Sequence, residues 1–256
     1  MVNALARSGP LLIMHIPKTA GTSLRWVAEQ QYPGSEFETL YPCHAPQIEA
    51  FLARPAPPAA VIGHFRFGLH ARLGVDCRYV TFLRDPVDQV VSHFNYIVAG
   101  RDPDSRGTLG PADRLEDFLA HDWARNLQTQ FVCGWSADQV AAAPRAALER
   151  AKQVLSTHFV GVGLVESFGR SLRKMAPRLG WHFTHIPRLN PAPNSVRAIR
   201  RRSLGASAIR EIDDANSCDR ELYEYVRRRH CGETSVVTLW AGRAASAASW
   251  LTAHLR

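Results

Sequence analysis

Cysteine is too sparse and too scattered in this 256-residue chain to build a disulfide framework or a zinc site. The cysteines are odd in number, and no two of them stand in a C-x-x-C pattern. They are Cys43, Cys77, Cys133, Cys218 and Cys231. We therefore expect a reducing compartment and no resident metal.

Long apolar runs are missing as well. The run over residues 11–14 is too short for a signal-peptide core or a membrane span, and no long apolar segment comes before it. The alanine-rich stretch over residues 239–255 is too short and too polar to cross a bilayer. These absences predict a cytoplasmic protein without a membrane span.

Lysine is the third scarcity. Of the 31 basic residues only Lys18, Lys152 and Lys174 are lysines, and the other 28 are arginines. A compact ammonium group fits a single bridging oxygen where a planar guanidinium does not, so the position of each lysine matters. Chance placement of three lysines is the competing explanation.

What the chain does have is enough apolar sequence for one well-buried α/β domain. Hydrophobic residues make up 46% of it, and no linker demands a second domain. We expect one domain over residues 1–256, with residues 234–256 as a packed helical tail. The net charge of +8 suits a polyanionic ligand, although a basic surface also serves solubility.

A strand, a tight loop and a helix follow one another near the start of the chain. Residues 11–14 are apolar, residues 15–23 read HIPKTAGTS, and residues 24–30 have helical spacing. A helix entered in this way presents backbone N–H groups and the positive end of its dipole to the loop. Gly21 allows close approach and Lys18 adds a charge, so the loop is suited to hold a phosphate.

The spacing of this loop differs from that of nucleoside triphosphate-binding loops. Those read G-x-x-x-x-G-K-[ST], with lysine after the last glycine, whereas Lys18 precedes Gly21 here. The order Pro-Lys-Thr-Ala-Gly-Thr-Ser instead resembles the 5′-phosphosulfate loop of sulfotransferases that use 3′-phosphoadenosine 5′-phosphosulfate (PAPS). The likeness is greatest to the carbohydrate type related to heparan sulfate uronosyl 2-O-sulfotransferase. It implies that PAPS is bound by Pro17, Lys18, Thr19, Ala20, Gly21, Thr22 and Ser23.

A second segment resembles the same family. Residues 78–86 read RYVTFLRDP, which predicts a strand, a polar end and a helix with Pro86 in its first turn. In that family the arginine and serine of this segment hold the 3′-phosphate of PAPS. The resemblance therefore assigns that role to Arg84 and Ser92, and the order and separation of the two segments also match the family.

The pattern of elements predicts an α/β, P-loop-like three-layer domain with a central parallel sheet flanked by helices. Predicted strands cover residues 11–14, 36–41, 60–65, 78–83 and 158–164. Predicted helices cover residues 24–30, 46–52, 87–98, 114–120, 123–133, 137–155, 166–179 and 213–229. Ligands of such folds bind at the carboxyl ends of the strands.

His64 is our candidate for the catalytic base. It ends a predicted strand, and histidine suits proton abstraction near neutral pH. Related uronosyl sulfotransferases carry a catalytic histidine in a His-Gly-His context, of which this chain keeps Gly63-His64 and has Ile62 at the first position. Glu36 and Glu38 are alternative bases, because some sulfotransferases use a carboxylate.

Two long loops remain. Residues 99–113 are rich in turn-forming residues and are either an acceptor-facing lid or disordered. Residues 187–203 resemble, by position more than by motif, the basic loop that closes the 3′-phosphate end in sulfotransferases, and this resemblance makes Ser195 and Arg197 candidates. A solvated charge run is the simpler interpretation of residues 200–202. The contact to adenine is unassigned.

The sequence leaves three functions to distinguish. A PAPS-dependent sulfotransferase would move a sulfuryl group in line from PAPS to a hydroxyl of a glycan or small molecule, with Lys18 at the leaving oxygen and no required metal. A P-loop kinase would use ATP, against which the loop spacing argues. A non-catalytic polyanion-binding module would interleave basic and aromatic residues, which is not apparent, so we expect no nucleic-acid partner.

Overall fold

The computed structural model describes residues 9–41, 45–101, 109, 114–186 and 198–231. The predicted ligands Ser195 and Arg197 lie outside the described residues, as does the predicted tail over residues 234–256. Of the predicted lid over residues 99–113, the structure describes residues 99–101 and 109.

The described strands form one parallel sheet in the order β2-β3-β1-β4-β5. They are Leu11–Met14 (β1), Phe37–Leu40 (β2), Ala60–Gly63 (β3), Arg78–Leu83 (β4) and Phe159–Leu164 (β5). β1 is central, with Met14 paired to Gly63 of β3 on one side and to Thr81 of β4 on the other. The carboxyl ends of β1, β3 and β4 therefore lie next to one another at one edge of the sheet.

Helices cover both faces of this sheet. They are Gly21–Glu29 (α1), Ala45–Leu52 (α2), Leu69–Leu73 (α3), Pro86–Val98 (α4), Leu115–Ala120 (α5), Leu127–Cys133 (α6), Ala137–Ala142 (α7), Pro144–His158 (α8), Phe168–Leu179 (α9), Ala206–Ala215 (α10) and Ser217–Cys231 (α11). Among the described residues, no helix has the length and apolar character that crossing a membrane needs.

Alternating apolar side chains of the strands divide the core between the two faces. Leu11 and Ile13 pack with α1 and α9, whereas Leu12 and Met14 pack with α6, α8 and α11. A third apolar cluster joins α4, α5 and α10. The predicted three-layer α/β class with a central parallel sheet is thus confirmed, and β4 has the predicted bounds of residues 78–83.

Three predicted helices were wrong in length, because each is divided in the structure. The helix predicted over residues 123–133 is interrupted by Asn126, whose φ of 49° is left-handed. The one over residues 137–155 restarts at Pro144, which occupies the first turn of α8. The one over residues 213–229 divides at Asn216, between the end of α10 and the start of α11.

Candidate active site

The loop between β1 and α1 is tightly folded. Lys18 and Ala20 have left-handed backbone conformations, with φ of 68° and 65°, which non-glycine residues rarely adopt. The Thr19 hydroxyl donates to the Ile16 carbonyl at 2.9 Å, and the Thr19 amide donates to the same oxygen at 3.2 Å. Ala20, the N-cap of α1, has no side-chain acceptor, so the first amides of the helix are suited to an anion.

Gly21 is the first residue of α1 and lies directly against the ring of His15. A Cβ atom at residue 21 would overlap Cε1 and Nε2 of that ring. The structure therefore supplies a packing reason for glycine at this position, besides the predicted approach of a ligand. The His15 imidazole therefore packs against the first residue of α1.

Arg84 contacts the loop from the end of β4. Its Nη1 donates to the Lys18 carbonyl at 3.1 Å. Burial lowers the pKa of Arg84, and the carboxylates of Asp88, Glu166 and Asp85 oppose that shift. A guanidinium stays charged in proteins, so Arg84 places a permanent positive charge beside the loop.

Helix α4 lies alongside the same loop. Gln89, which sequence reasoning missed, donates from Nε2 to the Pro17 carbonyl at 3.1 Å. The Lys18 ammonium lies 3.8 Å from the centroid of the Tyr96 ring, which is a cation–π contact. Ser92 stands one helical turn before Tyr96 and shares its face of α4. Lys18 therefore contacts both Arg84 at the end of β4 and Tyr96 of α4, and Ser92 lies on the same face of α4 as Tyr96.

Asp85 anchors the start of α4. Its carboxylate accepts from the Val87 amide at 3.0 Å, and it pairs with Arg220 at 2.7 Å and with Arg201 at 2.8 Å. Burial alone would raise the pKa of Asp85, but the hydrogen bond and charge of Arg220, together with Arg201, hold it below its usual value. Arg201 also pairs with Asp88 at 3.2 Å. Within the predicted solvated run over residues 200–202, Arg201 therefore forms ion pairs with two carboxylates of the protein.

The described end of the basic loop, residues 198–203, is hydrogen-bonded to α4. Asn95 donates from Nδ2 to the Ile199 carbonyl at 2.8 Å, and the Ile199 amide donates back to Asn95 at 2.9 Å. Asn95 lies three residues after Ser92, and Ile199 follows the predicted ligand Arg197 by two residues.

His64 follows β3 and is fixed by the loop. Its Nδ1 lies 2.7 Å from the carbonyl oxygen of His15. A carbonyl only accepts hydrogen bonds, so Nδ1 carries the proton, and in the neutral ring the lone pair lies on Nε2. The rings of His64 and His15 stack with centroids 4.5 Å apart.

Tyr41 completes this aromatic group. Its hydroxyl lies 2.6 Å from Nδ1 of His15, and its ring packs edge-on against His64 at 4.7 Å. Burial lowers the pKa of His15 well below its usual value, and the neighbouring His64 and Lys18 lower it further. His15 is therefore a neutral ring at physiological pH. Tyr41 was missed, although it directly follows β2 just as His64 follows β3.

The alternative bases lie elsewhere. Glu36 precedes β2, at the amino end of the strand and away from the carboxyl edge. Glu38 lies within β2 and forms an ion pair with Arg54. Neither carboxylate joins the group around His15 and His64.

No group of three or more His, Cys, Asp and Glu side chains within the described ranges is arranged to hold a metal ion. A groove of about 780 Å³ lies between α1, α9 and the segment over residues 181–185. Among the predicted site residues that the structure describes, none lines this groove.

No protein-family model matches the chain, and no curated protein matches it. Among solved structures, the chain is similar to the crystal structure of mouse sulfotransferase SULT7A1 complexed with PAP. The two chains share 17% sequence identity, the match covers 86% of this chain and 90% of the other, and the TM-score is 0.47. This likeness is distant.

Proposed function

We propose that the protein is a PAPS-dependent sulfotransferase. The observation that carries the proposal is the 3.1 Å contact between the Arg84 guanidinium and the Lys18 carbonyl. The two segments that resemble sulfotransferase motifs are 66 residues apart in sequence, yet they meet at the carboxyl edge of the sheet. An adenosine nucleotide with a phosphate at each end needs two such cationic positions.

The loop would bind the 5′-phosphosulfate. The amides of the first turn of α1 donate to the phosphate oxygens, and the helix dipole adds favourable charge. Lys18 neutralises the charge that develops on the bridging oxygen as the sulfur–oxygen bond breaks. The Lys18 ammonium lies over the Tyr96 ring, and we expect it to move from that ring to the leaving oxygen when PAPS binds.

The 3′-phosphate would lie between β4 and α4. Arg84 supplies the charge and Ser92 a hydroxyl from the neighbouring helix face. Ser195 and Arg197 remain predicted ligands from the basic loop. The ion pair of Asp85 with Arg201 supports this arrangement, because it holds the start of α4 to residues 198–203 of the basic loop, and the ion pair with Arg220 joins α11 to the same carboxylate.

His64 would be the base. As the acceptor hydroxyl attacks sulfur, its proton passes to Nε2 of His64, a new sulfur–oxygen bond forms, and adenosine 3′,5′-bisphosphate leaves. The Nδ1 contact to the His15 carbonyl supports this role, because it keeps the proton on Nδ1. We propose a glycan hydroxyl as the acceptor, on the strength of the resemblance to carbohydrate sulfotransferases, with a small-molecule hydroxyl as the alternative.

The test is transfer of sulfur-35 from labelled PAPS to a panel of glycan and small-molecule acceptors. We expect transfer to at least one acceptor and a loss of about 10²-fold or more in His64→Ala, since positioned bases contribute factors of this size. His182→Ala, at an exposed histidine, is the control and keeps full activity. Full activity of His64→Ala would refute the base, and absence of both transfer and bisphosphate binding would refute the function.

A further inference from the structure

Gln128, a residue of α6, binds the backbone of Arg84 with both ends of its side-chain amide. Its Oε1 accepts from the Arg84 amide at 2.9 Å, and its Nε2 donates to the Arg84 carbonyl at 2.9 Å. The residue is only 1% exposed. A pair of bonds to one residue is the pattern that a neighbouring strand would supply.

The position of Arg84 explains why such a pair is needed. Leu83 is the last residue of β4 and pairs with Leu164, so Arg84 stands just beyond the end of the ladder. Backbone groups at this buried edge need partners, and an unfixed chain would let the arginine turn away from the loop. Gln128 in effect extends the sheet by one residue.

Gln128 is itself held by a buried carboxylate. The backbone amide of Gln128 donates to Asp219 at 2.9 Å, and both the backbone amide and the hydroxyl of Thr129 donate to the same carboxylate at 2.7 Å. In return, the Asn126 side chain accepts from the amides of Cys218 and Asp219 at 2.9 and 3.2 Å. Helices α6 and α11 therefore cap each other, which fixes the place of Gln128 in the fold.

From these contacts we propose that Gln128 is a positioning residue for the Arg84 guanidinium and thereby sets the preference for nucleotides that carry a 3′-phosphate. The inference rests on the proposed function, in which Arg84 binds that phosphate. Gln128 contacts the backbone of Arg84, so its effect is transmitted through that residue. The 3′-phosphate loses its partner, whereas the 5′ end of the site loses only the contact of Arg84 to the Lys18 carbonyl and keeps the amides of the first turn of α1.

Binding of two nucleotides separates this role from a general loss of structure. Adenosine 3′,5′-bisphosphate and adenosine 5′-monophosphate differ only in the 3′-phosphate, so the ratio of their dissociation constants reports that contact alone. In Gln128→Leu we expect this ratio to fall about 10-fold, the equivalent of one charge-assisted hydrogen bond, because the bisphosphate loses more affinity than the monophosphate.

Gln130 provides the matched control. It is a fully buried glutamine of the same helix, and its Nε2 donates to the Arg125 carbonyl at 2.7 Å rather than to Arg84. Gln130→Leu removes a comparable set of buried hydrogen bonds, so it is expected to lose stability but keep the nucleotide ratio. An equal fall of the ratio in both variants would overturn the inference.

A double-mutant cycle provides the second readout. In an Arg84→Ala background, Gln128→Leu is expected to change the ratio no further, because its effect passes through the missing side chain. Additive losses would contradict the proposal. Gln128→Met, which preserves length without the amide, replaces Gln128→Leu if the latter does not fold, with the same expected ratio.

The outcomes also separate this inference from the proposed function. A wild-type protein that binds the two nucleotides equally well has no 3′-phosphate site, and the proposed function fails. A wild-type preference that Arg84→Ala abolishes and Gln128→Leu leaves intact refutes the role of Gln128 alone.

Discussion

At the scale of single residues, the packing of the loop between β1 and α1 depends on the absence of a side chain at Gly21. The ring of His15 fills the place that a side chain at Gly21 would take, and the same ring stacks on His64. The loop, His64 and the first turn of α1 are therefore packed against one another. A small change at one of them is transmitted to the others.

Gly21→Ala tests this packing. The added Cβ displaces His15, so we expect a loss of about 1–3 kcal/mol of unfolding free energy, as for other overpacked sites, together with weaker nucleotide binding. Urea unfolding and bisphosphate titration measure the two effects. Gly169→Ala is the control, because a Cβ there meets its nearest neighbours at 3.7 Å, an ordinary contact. Equal behaviour of the two variants would contradict the packing argument.

Tyr41→Phe tests the hydroxyl that contacts His15. Loss of a hydrogen bond worth about 1 kcal/mol loosens the ring that stacks on the base, so we expect kcat for sulfuryl transfer to fall about 5-fold. The affinity for adenosine 3′,5′-bisphosphate is expected to stay unchanged. Tyr79→Phe, at the amino end of β4, removes a hydroxyl bonded to His70 and serves as the control that keeps kcat. Unchanged kcat in Tyr41→Phe would exclude this role.

The sequence singled out His64 and Arg84, which follow strands, and gave no role to Tyr41, which also follows a strand, or to Gln89. His64 and Arg84 end apolar runs, so the parallel-sheet rule places them at the ligand edge. Gln89 and Gln128 lie within helices, where periodicity does not show which backbone groups their side-chain amides reach. Only the packing of α4 and α6 against the loop and β4 brings their amides to the backbone that they bind.

At the scale of elements, α6 and α11 cap each other at their amino-terminal ends. Asn126 accepts from the first amides of α11, and Asp219 accepts from those of α6. The helical periodicity predicted longer helices through these points, because a cap supplied by a distant helix leaves no local signal. The asparagine at position 126 was the available sequence clue to the break, since asparagine is among the residues that tolerate the left-handed conformation found there.

Asp219→Ala tests the shared cap. Burial raises the pKa of Asp219 to about 6, and hydrogen bonds from Thr129 and Gln128 oppose that shift, so the group is a carboxylate at pH 7.5. Its removal leaves three donors of α6 without their acceptor, so we expect a loss of about 2–4 kcal/mol of unfolding free energy. Glu221→Ala, an exposed residue of the same helix, is the control for urea unfolding. A loss below 1 kcal/mol in Asp219→Ala would rule out the cap as a main contributor.

At the scale of the whole molecule, the two edges of the sheet have different chemistry. The carboxyl edge holds Lys18, Arg84 and His64, whereas the amino end of β4 lies beside a pair of partly buried histidines. There His70 contacts the Tyr79 hydroxyl at 3.0 Å, and its ring lies 5.2 Å from that of His158. This second edge contributes to the pH dependence of stability.

Burial and the neighbouring His158 lower the pKa of His70 to about 4, while Asp76 opposes the shift. The folded protein therefore favours the neutral ring, so its stabilising effect is complete above pH 6.5 and is lost as the pH falls toward 4. Between pH 7.5 and 5.0 we expect the wild type to lose about 1–2 kcal/mol more unfolding free energy than His70→Asn. Urea unfolding at the two pH values measures this, and equal losses in both proteins would contradict it.

Lys18 and Arg84, as proposed, form the two ends of one site for a doubly phosphorylated adenosine. The most direct measurement is calorimetric titration of the wild type, Lys18→Ala and Arg84→Ala with adenosine 3′,5′-bisphosphate and with ATP plus magnesium. We predict that the wild type binds the bisphosphate at least about 10-fold more tightly than ATP, which equals 1.4 kcal/mol, and that either substitution weakens this binding. Tighter binding of ATP, or bisphosphate binding that ignores both substitutions, would contradict the account.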